Sequence, residues 1–198
     1  MSNHSLRFQV TKLIETCLNR KEIFRGDLLH VFKDEAKLPD QTTSTREWIQ
    51  HPGACAVVPV FRDGTVMLIR QYRYPTGQIH LEVPAGKIDP GEPPLETAIR
   101  ETEEETGLRV GDIAYAGHFY PCIGYADEII HIYVAWDLDQ IGSNRDDDEF
   151  LLTERVPYHT ALDMIASGEI NDGKTITSLV KAQMWWRENA PFPVRFSE

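Results

Sequence analysis

Glu101, Glu104 and Glu105 stand close together in GKIDPGEPPLETAIRETEEETGL, residues 86 to 108, a stretch with seven acidic residues among twenty-three. At about 100° per residue on a helix these three fall within roughly 100° of one another, while Glu96 and Glu103 point elsewhere. Carboxylates within mutual reach repel unless one protonates or cations sit between them. Hard divalent ions that prefer oxygen, Mg²⁺ or Mn²⁺, are the natural occupants at neutral pH. The same residues also suit a solvated acidic helix face, since exposed Glu is a common helix former. Arg100, four positions before Glu104, is spaced to pair with it.

The element that must carry these side chains is legible. Pro93 and Pro94 suit the first turn of a helix and Gly107 its left-handed C-terminal position, which predicts a helix from about residue 93 to 106. Leu95, Ala98, Ile99, Thr102 and Thr106 recur at intervals of three and four and are expected to form its buried stripe. Strand patterns precede it: ACAVVPVF and TVMLIRQYR, expected to pair as a hairpin about the Asp63-Gly64 turn, then HLEVPAG. DIAYAGHFY and IIHIYVAWDL follow as strands, and two further helices are expected near Tyr158 to Ser167 and Ile176 to Asn189. Mixed strands flanked by helices indicate an α/β or α+β sandwich over residues 51–198. Residues 1–50 read as a separate small antiparallel sheet built from KEIFRGD, LLHVFKDEAKL and TSTREWIQ.

Composition narrows the partners. With 41% hydrophobic and 26% charged residues the chain buries a real core, and its formal charge of -11 repels polyanions and anionic membranes. Neither nucleic acid nor a membrane is expected as a partner, and an anionic ligand would need local cations. Cys17, Cys55 and Cys122 are odd in number and widely spaced, which suits three reduced thiols, each a small buried hydrophobe. No apolar run has the length of a membrane span, and a cytoplasmic location is expected.

Gly86, Glu92, Arg100, Glu101, Glu104, Glu105, Gly107 and Leu108 fit G-x5-E-x7-R-E-U-x-E-E-x-G-U, where U is bulky and aliphatic. The chain therefore resembles the Nudix hydrolases, which cut a nucleoside diphosphate linked to another moiety using divalent metals held on the loop-helix-loop of this box. Thr102 occupies the first U position, a departure that touches packing more than chemistry. The resemblance implies a Nudix sandwich, a mixed sheet between helices. It assigns Glu101 and Glu105 as leading metal ligands, Glu104 as a third ligand or orienting carboxylate, and the Ala85 carbonyl as a further ligand. Arg100 would hold Glu104, and Glu92 would brace the loop.

Over about residues 20 to 190 the chain is similar to the branch that hydrolyses ADP-ribose and nucleotide sugars. That likeness places Arg46 and Glu47 near the base or ribose, Arg73 near the diphosphate and Glu128 near the terminal sugar. Arg73 has the chemistry for it, since a diphosphate in an acidic site calls for a forked cation. Where ADP-ribose-selective relatives carry Ser-Pro-Gly this chain has Cys122-Ile123-Gly124, which favours wider use of nucleoside diphosphate sugars such as GDP-mannose. In the run DDDEF, the likeness makes Glu149 the leading group to activate water, with Asp147 second. It further implies two to three Mg²⁺ or Mn²⁺ ions, a nucleoside monophosphate and a sugar phosphate as products, and a homodimer in which the N-terminal sheet is exchanged. A dinucleoside polyphosphate hydrolase and a non-catalytic ADP-ribose sensor stand as alternatives.

Overall fold

Residues 13–142 and 150–196 are described by the computed structural model. The backbone separates into two units, Met1–His51 with Cys122–Glu128, and Pro52–Pro121 with Ile129–Glu198. In the first, β1 (Thr16–Arg25), β2 (His30–Lys37) and β3 (Thr43–Gln50) form an antiparallel sheet in the order β1-β2-β3. Phe32, Asp34 and Ala36 of β2 are buried and Lys33 and Glu35 exposed, the period of two that a one-sided strand requires. Buried Asp34 is matched by the Arg20 fork, 3.1 Å from Nε and 2.9 Å from Nη2, and by the Trp48 indole N–H at 3.1 Å. The Cys122–Glu128 segment joins β3: Ile49 N–H donates to Tyr125 O at 2.8 Å and Asp127 N–H to Ile49 O at 3.2 Å. Glu128 thereby shares a unit with Arg46 and Glu47, whereas the sequence reading puts it in 51–198.

The second unit runs β4 (Ala54–Pro59), β5 (Thr65–Arg73), β6 (Gln78–Glu82), β7 (Ala85–Lys87), α1 (Pro94–Thr106), β8 (Leu108–Phe119), β9 (Ile130–Gln140), β10 (Leu151–Pro157), α2 (Tyr158–Ser167) and α3 (Gly173–Asn189). One sheet has the order β7-β4-β9-β8, with β4 and β9 parallel and the other pairs antiparallel; a second is antiparallel β10-β5-β6. Every residue of β4 is buried, so it needs cover on both faces. Ala54, Ala56 and Val58 pack in one core with Leu179, Ala182 and Trp186 of α3. Cys55 and Val57 pack in the other with Ala98 of α1. Each fully buried Val contributes about 1.5–3 kcal/mol, so this strand anchors the layer on which the box helix rests.

Several expectations are corrected. The Asp63-Gly64 turn forms, with Gly64 at φ 80 and Asp63 accepting the Thr65 N–H at 3.1 Å, but it does not close a hairpin. Both edges of β4 are taken by β7 and β9, so the chain crosses at the turn into the other sheet, leaving only a Val60–Val66 bridge. The buried face of α1 comprises Thr97, Ala98, Thr102, Glu105 and Thr106. Leu95 is exposed and Ile99 only partly covered. Its threonines are satisfied inside the helix, Thr102 Oγ1 donating to Ala98 O at 2.7 Å and Thr106 Oγ1 to Thr102 O. Helix α3 begins at Gly173, three residues early, because Asp172 caps it by accepting the Thr175 N–H at 2.9 Å. Of the cysteines only Cys55 is buried; Cys17 is exposed and Cys122 intermediate. No helix among the described residues is long and apolar enough to cross a membrane.

Candidate active site

Two carboxylates of α1 fold back onto the short strand β7. Glu105, 2% exposed, accepts the Ala85 N–H at Oε2, 2.8 Å away. Glu101 lies against Gly86 so closely that a Cβ added there would stand 1.9 Å from its carboxylate carbon. Gly86 is thus required by close approach and not by a left-handed backbone. Gly86→Ala should push the Glu101 carboxylate aside at the end of a flexible side chain. We expect stability to change by less than about 0.5 kcal/mol and turnover to fall about 100-fold, read by thermal melting beside initial rates.

Arg100 organises the outer side of the cluster. Its Nη1 donates to Glu101 Oε1 at 2.8 Å and to Glu104 Oε2 at 2.9 Å, while Nε and Nη2 each reach Glu92 at 3.0 Å. Glu92 also accepts the Thr97 hydroxyl at 2.6 Å, which ties the loop before α1 to its first turn. The Arg100 and Thr97 hydrogen bonds draw the Glu92 carboxyl down to about 2 from its ordinary 4.5. A lowered folded-state value means that its stabilisation is complete above pH 4.5 and lost as pH falls toward 2. Glu92→Gln should therefore flatten the pH dependence of unfolding between those limits, as urea titrations across that range would register.

The donors of Glu101, Glu104, Glu105 and the Ala85 carbonyl are all oxygen, which fits a hard divalent cation. Among the described residues no three His, Cys, Asp or Glu side chains converge as a ready metal cage. Instead Arg100 engages Glu101 and Glu104, and Glu105 engages Ala85. Beneath them, burial pushes the Cys55 thiol up to about 12, with the Glu92 and Glu101 charges adding to the shift, so it stays an inert packing group.

Arg73 is not a free fork. It makes a bidentate pair with Glu82, Nε–Oε1 2.8 Å and Nη2–Oε2 2.7 Å, and Lys174 Nζ lies 3.1 Å from the same Oε2. Sequence reasoning missed Glu82 and Lys174. The available signals were a glutamate set between Leu81 and Val83 in the strand pattern HLEVPAG, and the Asp172-Gly-Lys-Thr start of α3, which has the spacing of a capped helix. In the N-terminal unit, Arg46 is held by Glu15, Nε–Oε2 2.8 Å, Glu47 pairs with Lys33 at 3.1 Å, and Glu128 stands 3.7 Å from His51 Nδ1. Glu149 and Asp147 lie outside the described residues.

A mixed sheet between α1 and α3, with a glutamate helix bent onto a strand–loop, is the arrangement that the box implies. The NUDIX domain model matches residues 50–179, and the chain belongs to this family. It is 36% identical over 174 residues to the ADP-ribose pyrophosphatase of Bacillus subtilis (strain 168), covering 87% of this chain and 94% of the relative. A GDP-mannose pyrophosphatase of Escherichia coli O1:K1 / APEC is 37% identical over 143 residues, 67% of this chain and 73% of that protein. Among solved structures, an ADP compounds hydrolase superposes with a TM-score of 0.80 at 25% identity, covering 91% of this chain and 98% of that one.

Proposed function

We propose that this Nudix pyrophosphohydrolase hydrolyses the diphosphate bond of nucleoside diphosphate sugars, ADP-ribose and GDP-mannose among them, in a Mg²⁺-dependent reaction. A nucleoside monophosphate and a sugar phosphate leave. The observation that carries the reading is the pair Glu101 and Glu105 turned onto Gly86 and Ala85, which gathers anionic oxygen beside a backbone strand. Relatives named for ADP-ribose and for GDP-mannose support the substrate class.

Nudix hydrolases in general use divalent metal ions, and here Glu101, Glu105 and the Ala85 carbonyl would hold Mg²⁺, with Glu104 as third ligand or orienting group. When bound, such ions neutralise phosphoryl oxygens and lower the pKa of a coordinated water. Arg100 holds Glu101 and Glu104 in position. Arg73, steadied by Glu82, supplies positive charge toward the diphosphate. Glu149 takes the proton of the attacking water, with Asp147 as second choice. Arg46 and Glu47 serve the base or ribose, and Glu128 the terminal sugar.

The working unit is a homodimer. Leu18, Ile23 and Phe24 of β1 are exposed, which favours cover by a second copy. A monomeric mass by light scattering at full activity would remove this part of the reading. For the reaction itself, products are identified by phosphorus NMR after incubation in ¹⁸O water with ADP-ribose, GDP-mannose or diadenosine tetraphosphate. Preferred cleavage of the last, or no Mg²⁺-dependent cleavage of any, would overturn the assignment.

A further inference from the structure

From the structure we infer that the N-terminal turn of α3, through Asp172, Lys174 and Thr175, is a positioning clamp for the strand that presents Ala85 and Gly86. The inference deepens the proposed function by naming residues, remote from the box in sequence, that hold its backbone ligand in place.

The clamp is built on Val83, the first residue after β6. Its N–H donates to Thr175 Oγ1 at 3.0 Å, and its carbonyl accepts from Lys174 Nζ at 3.2 Å. Thr175 is fully buried and its own hydroxyl donates a hydrogen bond to Asp172 Oδ2 at 2.7 Å. Val83 N–H, Thr175 hydroxyl and Asp172 carboxylate therefore form a directed chain in which each donor has one acceptor. Asp172 is itself fixed, since it also accepts the Thr175 N–H as the cap of α3.

The next two residues are pinned in turn. The Pro84 carbonyl accepts the Val57 N–H at 3.0 Å, and the Ala85 N–H goes to Glu105 at 2.8 Å. Four hydrogen bonds over three residues thus come from three different elements: α3, β4 and α1. A β-strand of three residues, as β7 is, has little register of its own. Its short ladder to β4 is reinforced by the side chains of Thr175, Lys174 and Glu105.

Lys174 adds a second connection. The ammonium that holds Val83 O also lies 3.1 Å from Glu82 Oε2, the carboxylate that grips Arg73. Half-buried Lys174 and buried Glu82 therefore tie the Val83 carbonyl and the Arg73 guanidinium to one point. Truncating Lys174 or Thr175 would let the two groups drift relative to the α1 carboxylates. Neither side chain needs to touch substrate, so both act through the residues they hold.

Thr175→Val keeps the shape and removes the hydroxyl; Thr175→Ser restores it, and Lys174→Met keeps the stem without the charge. Amide hydrogen exchange and Mn²⁺ binding by electron paramagnetic resonance are read on the whole chain. We expect Thr175→Val and Lys174→Met to speed exchange at Ala85 and Gly86 at least tenfold with the interior amides of α1 unchanged. The Mn²⁺ dissociation constant should rise about tenfold, and Thr175→Ser should return both values toward wild type. Equal loss of protection across α1, or no change at Ala85, overturns the clamp. So does unchanged Mn²⁺ affinity in a variant whose wild-type parent binds the ion. A wild type that binds no Mn²⁺ removes the metal reading instead, and the clamp then stands or falls on exchange alone. If Thr175→Val does not fold, Lys174→Met decides by the same criteria.

Discussion

Glu105→Gln is expected to lower kcat/KM for a nucleoside diphosphate sugar by about 10³-fold while leaving the thermal transition within a few degrees of wild type. Gln has the shape of Glu, and its amide oxygen can still accept the Ala85 N–H that now lies 2.8 Å from Oε2. At 2% exposure the carboxylate is costly to hold ionised, so the neutral amide should not destabilise the fold. In the proposed function the substitution removes the carboxylate charge that would hold a divalent cation against the diphosphate, and losing electrostatic stabilisation of that kind costs about 10²- to 10³-fold or more. Glu103→Gln on the same helix is the control, since Glu103 belongs to neither the buried face nor the Arg100 cluster, and it should change turnover less than about twofold. Wild-type turnover in Glu105→Gln would count against the whole assignment. Parallel losses of turnover and of folding would show only that the side chain is structural.

The sequence made the box helix legible because its signals are local. Pro94 opens α1 and Gly107 closes it at φ 68, as expected from residues whose backbone preferences are fixed by covalent structure. Helix α2 also spans the expected Tyr158–Ser167. What was not legible depends on partners distant in the chain. The hairpin reading at Asp63-Gly64 failed because a turn's residues set the reversal of the chain but not which strand receives it. Of the expected stripe of α1, Ala98, Thr102 and Thr106 are buried, but aliphatic periodicity also favoured Leu95 and Ile99, while the fold buries Thr97 and Glu105 and lets the threonines bond back to the helix. The same limit hid Glu82. A charged residue in an apolar strand reads as an interruption until Arg73 and Lys174, nine and ninety-two positions away, are seen around it.

Removing that carboxylate has the largest expected effect on stability. Glu82 is 2% exposed and is shared by two cations whose situations differ: the Arg73 side chain is 40% exposed and Lys174 only 14%. In Glu82→Ala, Arg73 can turn to solvent, whereas Lys174 is left enclosed with Asp172, 3.5 Å away, as its remaining counter-ion. Stranding a buried partner costs about 3–5 kcal/mol, and the exposure of Arg73 argues for the low end, about 3 kcal/mol. In a chain of this length that corresponds to a fall in Tm of about 6–12 °C. Glu82→Leu combined with Lys174→Met should recover much of the loss, because a desolvated charge pair can be replaced by apolar packing at little net cost. The effect should also depend on pH with a definite sign. Burial alone pushes the Glu82 carboxyl up, but the Arg73 hydrogen bonds and the Lys174 charge turn the net shift downward from its ordinary 4.5. Its contribution is then complete above pH 4.5 and lost as pH falls through the lower folded-state value, so the gap between wild type and Glu82→Ala should narrow in acid. Urea midpoints at pH 7 and pH 3 would show this directly. A gap that widens in acid would mean that Glu82 is held protonated in the folded chain, and that Arg73 and Lys174 are oriented by something other than its charge.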